Sequence, residues 1–339
     1  MRLVRPWRLR REHCSTPNVT LFVAANGSLD NRAPSHYLLH TLFFTRRVMA
    51  TFKHTGLNSP ITEFSIMLVG RRDDQYSVVG SGIMIGQRVA ITAYHVIDEL
   101  HNIFDDERAD RTGSNITTQF TLQAIHFPNN GTTGWAWDVR QVFHDDQLDV
   151  AFLRLQPTNE EQLSYNWRSP RLQLLPPPVG TVVSAFGYHS SETEIDRTSQ
   201  RVQITTNPFT STGIVQEIHH IKRDTVMLPF PCFRTDCRFD RGMSGGPVFS
   251  STGALCGIIC TNFTNYAPDE AEHHTSYVAA LWPSMVTKVA FNRSGYPPDV
   301  YYPAFELVKD GFVMSVDWEQ FRLEHDHATG IATIRASVP

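Results

Sequence analysis

Cysteine is scarce in this chain of 339 residues, and charge is thin. The five cysteines, Cys14, Cys232, Cys237, Cys256 and Cys260, are an odd and sparse set, which does not make a disulfide framework. Cys256 and Cys260 would share one face of a strand roughly 13 Å apart, too far to bond each other. Reduced thiols packed as small hydrophobes are expected, and with them a lean toward a reducing, cytoplasmic setting. Charged residues are only 19% of the chain, which excludes a coiled coil or a charge-rich disordered segment. The formal net charge of -4 gives no general affinity for nucleic acid. No apolar run approaches a membrane span. Arg2, Arg5, Arg8, Arg10 and Arg11 could open a signal peptide, but the apolar run Tyr37–Phe44 is short and broken by His40 and Thr41. His126, His144, His189, His219 and His220 show neither H-E-x-x-H nor zinc-type Cys/His spacing, so no metal and no cofactor are expected.

What the chain does have is a hydrophobic fraction of 41%, enough for a substantial core, arranged in short β-rich runs. Ser65–Val69, Tyr76–Val79, Gly82–Ile85 and Arg88–Thr92 are split by Gly and polar turns. Similar runs recur at Thr118–Phe127, Trp137–Phe143, Val150–Leu155, Thr181–Phe186, Val202–Thr206, Gly213–His219, Thr225–Leu228, Pro247–Phe249, Leu255–Cys260 and Ser276–Leu281. This spacing predicts an all-β sandwich or barrel, with no alternating βαβ units and no sequence repeat. Tyr94–Leu100 reads as a helical turn. Pro283 followed by Ser284 as N-cap predicts a short helix over Ser284–Phe291. Arg168–Gly180 carries Pro170 and Pro176–Pro178 and reads as an extended connector between two halves of similar size. Residues 1–55 have weak periodicity and are expected to be poorly ordered. After Phe291 a tail holds strand-like runs at Gly311–Val316 and Gly330–Ala336.

Three local signals stand in order. Ala90-Ile91-Thr92-Ala93-Tyr94-His95-Val96 is an apolar strand that delivers a histidine at its end. Leu148-Asp149-Val150-Ala151-Phe152-Leu153 starts an apolar strand with an aspartate. Gly242-Met243-Ser244-Gly245-Gly246-Pro247-Val248 sets a serine in a Gly-rich bend before a strand. A serine hydroxyl is a weak nucleophile and needs a base to take its proton. A histidine near its ordinary pKa can take that proton and return it to a leaving amine. A carboxylate on the far ring nitrogen fixes the tautomer and stabilises the imidazolium. Glycines let backbone N–H groups turn toward a developing oxyanion. Asp146 is the alternative to Asp149, which alone directly precedes the apolar run.

These motifs resemble the trypsin/chymotrypsin-like serine proteases, and within them the Deg (high-temperature-requirement) type, over about residues 63–291. The resemblance implies a serine endopeptidase with two packed six-stranded antiparallel β-barrels and a cleft between them. It implies a protease domain over 56–293, with a first barrel over about 60–167, a second over about 179–291, and a C-terminal extension over 294–339. Catalytic roles fall on His95, Asp149 and Ser244, and oxyanion N–H groups on Gly242 and Ser244. Cys260, Thr261 and Asn262 would form a strand edge for the substrate backbone. Arg238, six before the serine, would lie near the base of the primary specificity pocket, where a cation favours an acidic residue before the cut; His273 and His274 are further candidates there. The substrate would be a protein or peptide. Met243 stands where digestive relatives have the aspartate that receives a new N-terminus, so no activation of that kind is expected. A binding or scaffold module on the same fold is the alternative. An esterase is disfavoured, because the strand–G-x-S-x-G–helix elbow is missing.

Overall fold

The fold, a computed structural model, describes residues 50–104, 120–128, 134–145, 147–165, 168–196, 201–265, 273–291, 300–326 and 331–336. Expectations for residues 1–49, Cys14 and Asp146 lie outside the described residues.

Six strands rich in branched and aromatic side chains form the first half: β1 (Ser65–Arg72), β2 (Gln75–Gly86), β3 (Val89–Thr92), β4 (Thr121–His126), β5 (Trp135–His144) and β6 (Ala151–Pro157). Asp73 turns the β1–β2 hairpin with φ 52°, a left-handed conformation that aspartate tolerates. The strands pair antiparallel in the order β1-β2-β3-β6-β5-β4 and close, because β4 returns to pair with β1. The second half holds β7 (Val182–Tyr188), β8 (Pro208–His219), β9 (Cys232–Thr235), β10 (Pro247–Ser250), β11 (Leu255–Asn265) and β12 (His273–Ala280). Their order is β8-β9-β12-β11-β10-β7, and a β7–β8 pairing closes this barrel as well. Closure pairs the first and last strands of each barrel, where an open sheet would leave two edges. The two six-stranded antiparallel barrels are those the resemblance implies.

Two main buried clusters form. Ile66, Ile83, Ile91, Trp137, Phe143, Phe152 and Leu153 of the first barrel belong to one; Val183, Val215, Phe233, Val248, Cys256 and Val278 of the second barrel belong to the other. The four described cysteines are all free and buried. Trp137 is fully buried, and Trp135 packs edge-on against Tyr165, so both tryptophans are packing residues.

Several local expectations change. Thr51–His54, within the stretch expected to be poorly ordered, is a strand paired antiparallel with β8. Tyr94–Ile103 forms a full helix, α1, longer than the helical turn read from the sequence. A second helix, α2 (Glu160–Ser164), was missed, although its capping box was legible: Gln162 N donates to Asn159 Oδ1 at 2.9 Å, and Asn159 N donates to Gln162 Oε1 at 3.2 Å. Thr225–Leu228 is no strand, because Asp224 Oδ1 accepts from Val226 N at 2.8 Å and Met227 N at 2.6 Å and holds a turn. The helix expected over Ser284–Phe291 is a 3-10 turn over Trp282–Val286, and Lys288–Val289 then pairs with Tyr302–Pro303. Ser284 lies inside that turn and donates to Leu281 O at 2.7 Å, so it is not the N-cap.

The C-terminal residues are built into the first barrel's core. Tyr302, Phe305, Leu307, Val308, Val313 and Phe321 are buried in the same cluster as Phe143 and Phe152. Gly311–Val316, expected as a strand, instead follows a short helix, α3 (Phe305–Lys309), and lies along the connector. Leu172 N donates to Met314 O and Val316 N to Leu172 O, both at 2.8 Å. On its other side the connector meets β11: Leu255 N donates to Arg171 O at 2.8 Å and Gln173 N to Leu255 O at 2.7 Å. The connector is thus held between the second barrel and the C-terminal segment.

Candidate active site

The end of β3 passes through Ala93 into α1, which places His95 in the first helical turn. Asp149 sits just before β6, which pairs with β3, so histidine and aspartate reach the same end of the barrel. His95 Nδ1 is 2.9 Å from Asp149 Oδ2 and 3.0 Å from Oδ1. A carboxylate only accepts, so Nδ1 carries the proton in this contact and Nε2 keeps a lone pair. His95 N also donates to Asp149 Oδ1 at 2.9 Å. The aspartate is buried, and the imidazole is open on one side, with 43% of its side chain exposed. Burial opposes the imidazolium, but the hydrogen bond and charge of Asp149, helped by Glu99 and Asp98, outweigh it; the His95 pKa is raised.

Ser244 comes from the second barrel, in the bend before β10. That bend is docked onto β2 by one residue that sequence reasoning passed over. Ser81 N donates to Ser244 O at 2.8 Å, Ser81 Oγ to Gly242 O at 2.8 Å, and Tyr188 N to Ser81 Oγ at 2.9 Å. Thr92 Oγ1, at the end of the histidine-bearing strand, donates to Ser81 O at 2.7 Å. A Cβ on Gly245 would meet Thr92 Oγ1 at 2.1 Å and Ser81 O at 2.3 Å, and its φ is +79°. Only glycine lets the serine bend approach the histidine strand this closely.

The amides of the bend divide into two sets. Met243 N donates to Asp240 O at 3.1 Å, Gly245 N to Ile259 O at 2.9 Å, and Gly246 N to Met243 O at 2.9 Å. Gly242 N and Ser244 N have no such backbone acceptor among the described residues. Arg241 O accepts from Ser190 N at 3.0 Å. In a trans peptide the N–H points opposite to the carbonyl, so Gly242 N–H faces away from Ser190.

His95, Asp149, Ser244, Cys260, Thr261 and Asn262 line one cavity of about 540 Å³. The structure therefore brings these six expected residues together. Gly242 and Arg238 are not in the lining. The Arg238 guanidinium grips Asp240, with Nε–Oδ1 at 2.9 Å and Nη2–Oδ2 at 2.8 Å, and lies 4.7 Å over the Phe52 ring. The cation expected near the pocket base therefore has its charge matched by a carboxylate that lines the cavity and its face covered by an aromatic. His274 lies across the β11–β12 pair opposite Thr264, two residues beyond Asn262. Met243 is fully buried in the second barrel's core, and the bend is held without an ion pair there.

The sequence matches the trypsin-like peptidase domain family over residues 80–258, more than half of the chain. The chain belongs to that family. Comparison with curated protein sequences gave no match. Among solved structures, the MamO protease domain from Magnetospirillum magneticum is similar at 16% identity, covering 64% of this chain and 92% of its own, with a TM-score of 0.38. Deg5 is similar at 16% identity, covering 60% of this chain and 82% of its own, with a TM-score of 0.42.

Ser81, Thr92 and the side chain of Cys260 are the site features that sequence reasoning missed. Ser81 sits in Gly80-Ser81-Gly82, where the small residues signal a close backbone approach. A Cβ on Gly80 would come within 2.8 Å of Ser244 O.

Proposed function

We propose that this protein is a serine endopeptidase working through an acyl-enzyme intermediate. The observation that carries the proposal is the meeting of Ser244, from one barrel, with the His95–Asp149 pair, from the other, in one cavity. His95 Nε2 takes the Ser244 proton as Oγ attacks the scissile carbonyl. The amides of Gly242 and Ser244, which no backbone acceptor among the described residues claims, are the donors for the resulting oxyanion; losing one such donor typically costs roughly 3–4 kcal/mol of transition-state stabilisation. The imidazolium, held by Asp149, passes its proton to the leaving amine, and the C–N bond breaks. Water then attacks the acyl-serine with His95 again as base, releasing the new carboxylate and restoring the serine.

The substrate backbone is best accommodated beside Cys260–Asn262. The pairing of β10 with β11 ends at Pro247–Ile258, so this stretch extends past β10 while still pairing with β12. An extended peptide can add there as a strand. Because Met243 is buried where digestive relatives keep an aspartate, the bend needs no newly cut N-terminus to form.

A fluorophosphonate probe tests the reading. It is expected to label the wild type at Ser244, to leave Ser244→Ala unlabelled, and to label folded His95→Ala at a rate lower by roughly three to four orders of magnitude. A folded wild type that resists the probe makes the protein a binding module on a protease fold.

A further inference from the structure

The geometry points to a binding site for a thiophilic divalent cation of the zinc type, made by His95, Asp149 and Cys260, that switches off the histidine as a base. Occupancy follows from the residues alone; the loss of activity rests on the protease reading above.

Cys260 reaches Asp149 because of a defect in its sheet. The β11–β12 register slips between Ile259 and Thr261, which leaves Cys260 as the extra residue of a β-bulge. Bulges bend a strand and re-aim a side chain. Here the thiol is directed out of the ladder toward the carboxylate. A ring nitrogen of His95, an Asp149 oxygen and Cys260 Sγ all lie within 4.8 Å of one another, and Nδ1 is the nitrogen that faces Asp149, at 2.9 Å from Oδ2. Among the described residues no other three such donors come together. A tetrahedral zinc site, with bonds of about 2.0–2.3 Å, places its donors about 3.5 Å apart, so small side-chain rotations close the site.

Nitrogen, oxygen and sulfur from three separate elements form a donor set that suits zinc and not magnesium or calcium. Carboxylate and thiolate together cancel the charge of a divalent cation, which lowers the cost of holding it in a buried setting. All three residues line the cavity, so a cation can enter and a water can take the fourth position. The protons balance. The cation displaces the thiol proton of Cys260 to solvent. It also takes the Nδ1 lone pair, which moves the ring proton to Nε2. An imidazole protonated at Nε2 cannot accept the proton of Ser244.

Titration of the reduced, chelator-treated full chain with cobalt(II) tests the site. A thiolate-to-cobalt charge-transfer absorption is expected in the wild type and in Cys256→Ser, lost in Cys260→Ser and weakened in His95→Ala. No band in the wild type, or an undiminished band in Cys260→Ser, overturns the proposal. Should Cys260→Ser fail to fold, X-ray absorption of the zinc-loaded wild type decides: one sulfur in the first shell is expected, and a shell of nitrogen and oxygen alone overturns it. In parallel, the ratio of probe-labelling rates with and without zinc is compared within each protein. A fall of about tenfold or more is expected in the wild type and a ratio near unity in Cys260→Ser. A cobalt band that depends on Cys260 in a protein the probe never labels keeps the site and removes the protease reading. Normal labelling that ignores zinc, with no band, removes the metal site alone.

Discussion

His95 illustrates how a single residue is tuned by opposing effects. Burial alone would favour the neutral ring, yet Asp149, Glu99 and Asp98 place enough negative charge around it to raise its pKa. A base must be neutral to work, so the rate of probe labelling should fall on the acid side with a midpoint above the ordinary 6.5. Asp149→Asn removes the main cause of the upward shift. It should move that limb to lower pH and slow labelling by roughly three to four orders of magnitude. A pH–rate profile of both proteins checks this, and an unmoved limb would assign it to another group. The contribution to folding has a defined sign as well: it is fully present below 6.5 and is lost as pH rises through the raised value. The residue scale was also where the sequence was most legible. Histidine, aspartate and serine each sit in a short string whose chemistry needs no distant partner to be recognised. Arg238 shows the limit. Asp240 is two residues away and could have been matched to it from the sequence, but Phe52 arrives through a strand far along the chain.

Among the elements, the connector is the most informative. Its prolines were legible as an extended passage between the barrels, but what holds it was not. Asp317 supplies the answer. Buried after the Gly311–Val316 stretch, its carboxylate accepts from Leu174 N at 2.9 Å and Leu175 N at 2.8 Å. A third bond comes from Ser315 Oγ at 2.9 Å. Asp317→Ala strands two backbone donors in a buried passage, each worth about 1–3 kcal/mol when left unpaired. A loss of about 2–6 kcal/mol in urea unfolding is therefore expected, with the probe reactivity per folded molecule retained. A loss below about 0.5 kcal/mol would show that water replaces the carboxylate at no cost. The expected helix at Ser284 failed for a related reason. Pro and Ser signals mark a helical start, but continuation depends on what the next residues pair with. Here Lys288–Val289 are claimed by Tyr302–Pro303 from the tail.

On the scale of the whole molecule, Arg47–Pro339 is one compact unit, and one buried histidine predicts that its stability falls in acid. His126 on β4 is fully buried, and Nε2 donates to Glu63 O at 3.0 Å. Burial pushes its pKa down from 6.5 to about 4, against the smaller upward pull of Glu63. Between those values the unfolded chain binds a proton that the folded chain refuses. Stability should therefore fall as pH drops from 6.5 toward 4, by about 3 kcal/mol in all at about 1.4 kcal/mol per pKa unit. Urea midpoints measured across this window should slope in the wild type and flatten in His126→Gln, which keeps a donor for the Glu63 carbonyl. Equal slopes would place the acid sensitivity in other groups.

By itself the sequence determined the β-rich class, the break between two halves, and the three residue types with their order along the chain. Each of these depends on local periodicity or on a short string, and local physics suffices to read it. The tertiary structure alone decided that Ser81 and Thr92 dock the serine bend, that Phe52 covers the Arg238 guanidinium, and that the tail completes the first barrel's core. It also decided that a bulge turns Cys260 toward Asp149. All of these join residues far apart in the chain or rest on the register between strands, and strand pairing leaves no local signature in the order of residues.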